Sequence, residues 1–404
     1  MSNVAQPNAA SFSVTSCADI ERILSDCSGR KQPVVTVASE VLQSRSWRAV
    51  PGAVAIDLSR MNAVRIDVAR RLALVGPGAR FSSLVTEALK AGMMPEIETP
   101  ACLDFTFADW SDEPLRMLST SFSGSDGILR NVKVTAPGLS YQTGYDSFPA
   151  NGGGYDLTKL FLSSGMSLGV PTEFAIPLRP VPEIAIKRIC SFEKAENAVS
   201  AGVQISRSGY ARAVKLKSGG FDEMLIAGKL PTKQRIDNLL VVKMEGTQPI
   251  MDAGMKFVDD VLAKGGGKVA EDKQDAPTFV DPQSISQSVW PLGICAVDTK
   301  SLAAMLKNIR DIALKSNRAF QFSVSDLSPT TSVLLPLLQG PKSKEPLDAI
   351  GKYLADERVS LRGNPGWNSI LGDSRAVARV EVVRGIKKLV DPDMILNPHV
   401  MEVF

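Results

Sequence analysis

The chain has 404 residues, 46 of them basic and 43 acidic, for a formal net charge of +3. That length supports two or three domains with cores of their own, and a balance this near neutral, without a basic block, argues against nucleic acid as a partner. No apolar run approaches the roughly 20 residues a membrane span needs, and the polar start Met1-Ser2-Asn3-Val4-Ala5-Gln6-Pro7 lacks the features of a signal peptide, so the expectation is a cytoplasmic protein with no transmembrane segment.

The first dozen residues, rich in Ala, Asn, Ser and Pro, are expected to be disordered. A short helix over Ala18 to Cys27 follows, then a β-branched run from Pro33 to Ala38 that reads as a buried strand. Ala53 to Asp57 and Leu72 to Val75 are further strands. The turn Gly76-Pro77-Gly78 leads into a helix from Phe81 to Ala91, with Leu84, Val85, Ala88 and Leu89 at helical spacing. Residues 92 to 127 carry little periodicity beyond a short helix at Glu113 to Met117. A strand over Ile128 to Thr135, a short helix over Asp156 to Phe161 and a strand over Thr172 to Leu178 come next, and Arg179-Pro180-Val181-Pro182 marks a boundary.

Beyond it, Leu239 to Met244 is a strand, followed by a helix with Ile250, Met251, Met255, Val258, Val261 and Leu262 on one face, ending at Gly265. Ile294 to Val297 leads to a second striped helix carrying Leu302, Met305, Leu306, Ile309 and Ile312. The pattern suggests helices on one face of an antiparallel sheet. A last helix from about Asp373 ends at Asp391-Pro392, and an extended tail runs from Met394 to Phe404.

The chemistry-bearing residues are sparse. His399 is the one histidine, which excludes a three-histidine zinc site or a relay of two imidazoles within this chain. Cysteines at 17, 27, 102, 190 and 295 form no Cys-x-x-Cys pair. That spacing fits reduced, buried thiols and offers no iron–sulfur ligand set. Redox chemistry would need an organic cofactor or a partner subunit. No Gly-x-Gly-x-x-Gly fingerprint supports a stand-alone nucleotide-dependent reductase.

Three stretches carry a resemblance. They are Pro51 to Asn62 with Val75-Gly76-Pro77-Gly78 after it; Gly154-Tyr155-Asp156-Leu157-Thr158-Lys159-Leu160-Phe161 followed by Ser167 to Glu173; and the closing Asp391-Pro392-Asp393-Met394-Ile395-Leu396-Asn397-Pro398. On these residues the chain resembles the vanillyl-alcohol-oxidase (PCMH-type) FAD-binding family, and within it the FAD-binding subunits of glycolate and D-lactate oxidases. The resemblance implies an α+β architecture. Residues 13–180 would form a two-subdomain FAD-binding domain, 181–372 an α+β cap, and 373–404 a helix and tail returning to the FAD domain.

The chain departs from the family pattern in four places. The glycine-rich loop that wraps the FAD pyrophosphate is matched by Ala38 to Trp47, which has no glycine and carries Glu40. Backbone N–H groups could still serve there, with Ser39, Ser44 and Ser46 assisting and Arg45 offsetting charge; equally, these residues could simply close a loop. The family's Gly-Gly pair beside the flavin is replaced by Thr106-Phe107-Ala108-Asp109-Trp110. The Ser-Glu-Gly-Thr-Leu-Gly turn has become Ser164 to Gly169, although Gly169 and Val170 still match a region whose backbone meets the adenine end. The cap's histidine-rich motif corresponds to Phe320 to Asp326, with no histidine to act as base or metal ligand.

The resemblance therefore implies Ser39, Ser44, Ser46, Thr106, Gly169, Val170 and Asn397 as FAD-binding candidates, with no catalytic residue and no metal ligand. His399, on the tail beside Asn397, is either a flavin contact or base, or a hydrogen-bonded surface or interface residue. Two readings stay open. One is an FAD-binding subunit of a glycolate/lactate-oxidase-like complex, passing electrons to an iron–sulfur subunit. The other is a non-catalytic structural subunit beside an active paralogous FAD-binding subunit.

Overall fold

The computed structural model describes residues 10–38, 50–96, 106–112, 129–144, 157–161, 164–221, 238–269, 289–292, 294–339, 344–357, 359, 361–362 and 374–398. The described segments build three sheets.

The first begins inside the stretch expected to be disordered. Strand β1 (Ser11–Ser13) pairs in parallel with β3 (Val54–Asp57), whose other side takes β2 (Val34–Val37), also in parallel. Composition alone argues for disorder here, but the sheet edge offers backbone partners that override it. Between them, α1 (Cys17–Arg30) opens on a capping box in which Ser16 and Asp19 satisfy each other's backbone N–H groups, and it closes on Lys31 in the left-handed region. Its buried stripe Ile20, Ile23, Leu24 and Cys27 packs with Val34, Val54, Ile56 and Leu58.

The second sheet is antiparallel, in the order β4 (Val64–Asp67), β5 (Leu72–Val75), β9 (Val170–Pro180), β7 (Asn131–Ala136) and β8 (Leu139–Gln142), with β6 (Met93–Pro95) joined to the end of β9. Helices α2 (Phe81–Lys90), α3 (Phe107–Asp112) and α4 (Thr158–Phe161) lie in its connections. Phe81 and Phe107 stack with ring centroids 4.2 Å apart, and Phe107 also meets Phe174 of β9. Gly76 and Gly78 hold the turn between β5 and α2 against the chain at 58–63. A Cβ on Gly76 would sit 2.1 Å from the Met61 carbonyl oxygen, and one on Gly78 2.3 Å from that of Leu58. The helix expected at 113–117 lies outside the described residues.

The third sheet has nine strands, every pairing antiparallel: β10 (Ile184–Phe192), β11 (Ala211–Ser218), β12 (Asn238–Gly246), β13 (Lys268–Val269), β14 (Val289–Pro291), β15 (Ile294–Asp298), β16 (Ala319–Leu327), β17 (Thr331–Gln339) and β18 (Leu361–Arg362). Helices α5 (Ala195–Ser208), α6 (Gln248–Lys264), α7 (Thr299–Lys315) and α8 (Lys344–Asp356) share one core with it. The two striped helices of the sequence are α6 and α7. Alternation sorts the strands: Val214, Leu216, Leu240, Val242, Met244, Phe322, Val324 and Leu334 enter that core, so their neighbours along each strand occupy the opposite face.

Helix α9 (Ser374–Val390) ends the described elements and returns to the first two sheets. Val390 packs with Ala136 and Leu168, and Ile395 and Leu396 enter the core under β2. The tail is not simply extended as expected: Met394 and Asn397 have φ of 55° and 43°, so the chain turns twice before Pro398.

Candidate functional site

Segments far apart in the sequence converge on β2. The tail lies along it in parallel: Val34 N–H donates to the Ile395 carbonyl at 2.8 Å, and Asn397 N–H donates to the Val34 carbonyl at 2.7 Å. The Asn397 side chain closes the junction. Its Oδ1 accepts the Thr36 N–H at 3.2 Å, and its Nδ2 donates to Thr36 Oγ1 and to the Met166 carbonyl, both at 3.1 Å. The turn 164–169 is thereby tied to β2, and Val170, Ala108, Met166 and Leu396 meet in one apolar cluster.

Beneath this junction sits a charge pair with no solvent exposure. Lys387 Nζ donates to Asp391 Oδ2 at 2.5 Å, to the Ser167 carbonyl at 2.6 Å and to the Leu396 carbonyl at 2.7 Å. Asp391 in turn accepts the N–H groups of Ile395 and Leu396. Burial pushes the Lys387 ammonium below its usual range, and the adjacent carboxylate opposes that shift. Three acceptors around Nζ and two N–H donors on the carboxylate provide the compensation that a buried pair requires.

On the other side, α3 starts on a reciprocal cap. Thr106 N–H and Oγ1 donate to Asp109 Oδ2 at 3.0 and 2.6 Å, and Asp109 N–H donates to Thr106 Oγ1 at 3.1 Å. Phe107 N–H donates to the Ala79 carbonyl and Ala108 N–H to the Pro77 carbonyl. The four successive N–H groups from 106 to 109 are thus all engaged within the protein. Ser164 differs: it is buried, and its hydroxyl has no hydrogen-bond partner among the described residues.

Residues 8–108 match the model of an FAD binding domain. The fold is that of the PCMH-type FAD-binding oxidases. Superposed on p-cresol methylhydroxylase with substrate bound, the chain gives a TM-score of 0.70 at 17% identity, covering 97% of this chain and 88% of that one. In sequence it is 21% identical to the glycolate oxidase subunit GlcD of Bacillus subtilis (strain 168), over 95% of this chain and 86% of that protein. It is 20% identical to the mitochondrial D-lactate dehydrogenase [cytochrome] of Arabidopsis thaliana, over 94% and 71%. The likeness to the glycolate and D-lactate oxidising flavoproteins read from the three motifs therefore holds.

Within this PCMH-type fold the expected cofactor residues fall into three groups. Ser39, Ser44 and Ser46, with Glu40 and Arg45, lie outside the described residues, as does His399. Gly169, Val170 and Asn397 come together around the 164–169 turn. Gly169, at φ +152°, faces Val134, where a Cβ would stand 2.1 Å from a methyl carbon, and Val170 is buried in the apolar cluster. Thr106 lies beside that cluster with its hydroxyl committed to Asp109.

Against FAD, these residues fit at one end and not at the other. The turn 164–169 presents the orphaned Ser164 hydroxyl, which a polar ligand group would satisfy. The 106–109 backbone retains no N–H group for a cofactor. Sequence reasoning missed Lys387 and Ser164. Lys387 could have been found from its i,i+4 spacing to Asp391 on the same stripe as Ile386 and Val390, whereas nothing in the sequence marks Ser164 as unpartnered. Among the described residues there is no cluster of His, Cys, Asp and Glu able to hold a metal ion.

Proposed function

We propose that this chain is the FAD-binding subunit of a glycolate/lactate-oxidase-like flavoprotein oxidoreductase complex in the cytoplasm. It works with a paralogous FAD-binding subunit and passes electrons to an iron–sulfur subunit. The observation that carries the reading is the convergence of β2, the 164–169 turn and the tail on one junction with a buried Ser164 hydroxyl that has no partner among the described residues, in a chain whose residues 8–108 match an FAD binding domain. Its division follows: 13–180 hold the flavin, 181–372 form the cap, and 373–404 return to brace the flavin side. GlcD is by name a subunit of glycolate oxidase, which supports assembly with partners. The scattered cysteines leave any cluster to another chain.

FAD bound here would supply the hydride acceptor. The chain's own part is to hold it, with Ser164, Ser39, Ser44 and Ser46 as hydroxyl donors and the backbone at Gly169 and Val170 beside the adenine end. A second reading, a structural subunit that has lost the cofactor, is favoured by one observation: the fully engaged N–H groups of 106–109.

The visible absorption spectrum of the purified protein decides between them, followed by denaturation and identification of any released cofactor. Stoichiometric FAD is the expected result. Folded protein that carries no flavin and takes none up when FAD is added would establish the structural subunit instead.

A further inference from the structure

Helix α9 buries one side and leaves an apolar seam outside. Lys387 and Val390 are buried, whereas Val382 is 63% and Leu389 76% exposed, with the half-buried Ile386 between them. Steps of four and three residues put positions 382, 386 and 389 in one line along the helix. The same steps carry that line back through positions 379 and 375, inside the same helix. Read from its start, the line is Arg375, Arg379, Val382, Ile386 and Leu389: two cations, then three apolar residues, and no acidic one.

The seam belongs to a wider patch. Ile386 packs with Tyr141 of β8 and Leu160 of α4 against Ala136, Leu168 and Val390. Leu139 lies two residues before Tyr141 on the same face of β8 and is exposed, as is Leu157 just ahead of α4. Exposed leucines and a valine from three elements therefore surround a half-buried apolar floor. The exposed pair Arg384–Glu381 lies at its rim. Single exposed apolar residues are ordinary, but a contiguous patch with a charged rim marks an interaction surface.

Charge selects what covers it. A second copy laid in parallel would set Arg375 and Arg379 against their own equivalents. Laid antiparallel about Val382, it would set Arg375 opposite Leu389 and Arg379 beside Ile386. Neither arrangement offers the arginines a carboxylate, because the seam contains none. We propose that the seam of α9, with Leu139 and Leu157 beside it, docks an amphipathic helix of a different protein. That helix repeats apolar residues every three or four positions and carries Asp or Glu where it meets Arg375 and Arg379. The apolar half supplies buried area, and the charged half fixes direction and rejects a second copy. This goes beyond the function proposed above, since the surface calls for a partner helix and not for flavin.

The test places the photo-reactive residue p-benzoylphenylalanine at Leu389, at Leu139 or, as a control, at Val269. Val269 is 82% exposed on the far edge of the third sheet. The full-length chain is irradiated in the cells that naturally make it, and the adducts are identified by mass spectrometry. One and the same protein attached at Leu389 and at Leu139, through an acidic amphipathic helix, and absent at Val269, is the expected result. The yield at Leu389 should fall at least about tenfold when Arg375→Glu and Arg379→Glu are introduced together. Val382→Glu, at an exposed position, provides a second arm, and both variants are checked for an unchanged melting temperature. Adducts with another copy of this chain, adducts with phospholipid, equal yield at Val269, or no adduct at all overturn the proposal. Flavin content is read from the visible spectrum of the same purified chains. Specific adducts on a chain without flavin overturn the functional reading and leave the docking surface standing; flavin without adducts does the reverse.

Discussion

At the scale of single residues, the chain keeps its polar groups where they are compensated. Lys387 and Asp391 are fully buried, yet between them they engage Ser167, Ile395 and Leu396 as well as each other. Removing one partner strands the other charge. Lys387→Met is therefore expected to cost about 3–5 kcal/mol, read as a drop in the urea midpoint, and Asp391→Asn a similar amount, because the amide keeps one acceptor oxygen where Oδ1 and Oδ2 both accept tail N–H groups, and Lys387 loses its counter-charge. The cysteines follow the same environment rule. Burial pushes the thiol of Cys295 up to about 12 and raises those of Cys27 and Cys190, with Asp26 and Asp259 adding to the latter two. In native protein at pH 8, peptide mapping after treatment with a thiol reagent should find Cys17 modified and these three protected until the protein is unfolded. Such thiols were legible in the sequence from their spacing alone. The cap at Thr106 was written in the sequence as a Thr-x-x-Asp pattern, which the resemblance reads as a flavin-side position.

At the scale of elements, periodicity found what it is suited to find. The apolar stripes of α6 and α7 came through because long side chains at i, i+3 and i+4 leave a strong signal. Helix α5 left a weaker one: its buried residues are Ala198, Val199, Ala201, Gly202 and Ile205, and a Cβ on Gly202 would lie 2.3 Å from Leu327. At Gly202 the helix lies so close to the sheet that no side chain fits, and small residues such as Ala198, Ala201 and Gly202 are nearly silent in a hydrophobicity pattern. β4 and β8 were missed because their residues are largely exposed or half-buried, without the alternation of a core strand. β1 was missed because three polar-flanked residues acquire strand geometry only from the edge they join.

At the scale of the whole molecule, the second and third sheets are joined by a specific ion pair. Arg179, at the end of β9, donates from Nη1 and Nη2 to Glu245 on β12 at 2.8 and 2.9 Å, with both side chains less than one-fifth exposed. The fork geometry fixes orientation as well as distance. A double-mutant cycle with Arg179→Met and Glu245→Gln, measured by denaturant unfolding, is expected to give a coupling of about 1–3 kcal/mol, well above that of the exposed pair Arg384–Glu381. This architecture was legible only through the three motifs, because sheet order depends on contacts between distant segments that no local pattern records.

The tail that runs beside β2 also sets the order of events during synthesis. Thr36 and Asn397 are 361 positions apart, and β2 receives its outer neighbour only when residues 395–397 arrive. At roughly 5–20 residues per second of translation, the edge of the first sheet stays open for on the order of 20–70 s while the rest of the chain emerges. Throughout that interval Val34 and Thr36 form a bare strand edge of the kind that recruits other chains. The nascent protein is thus most exposed to aggregation before residues 395–397 leave the ribosome, and any truncation that removes them makes that vulnerable state permanent.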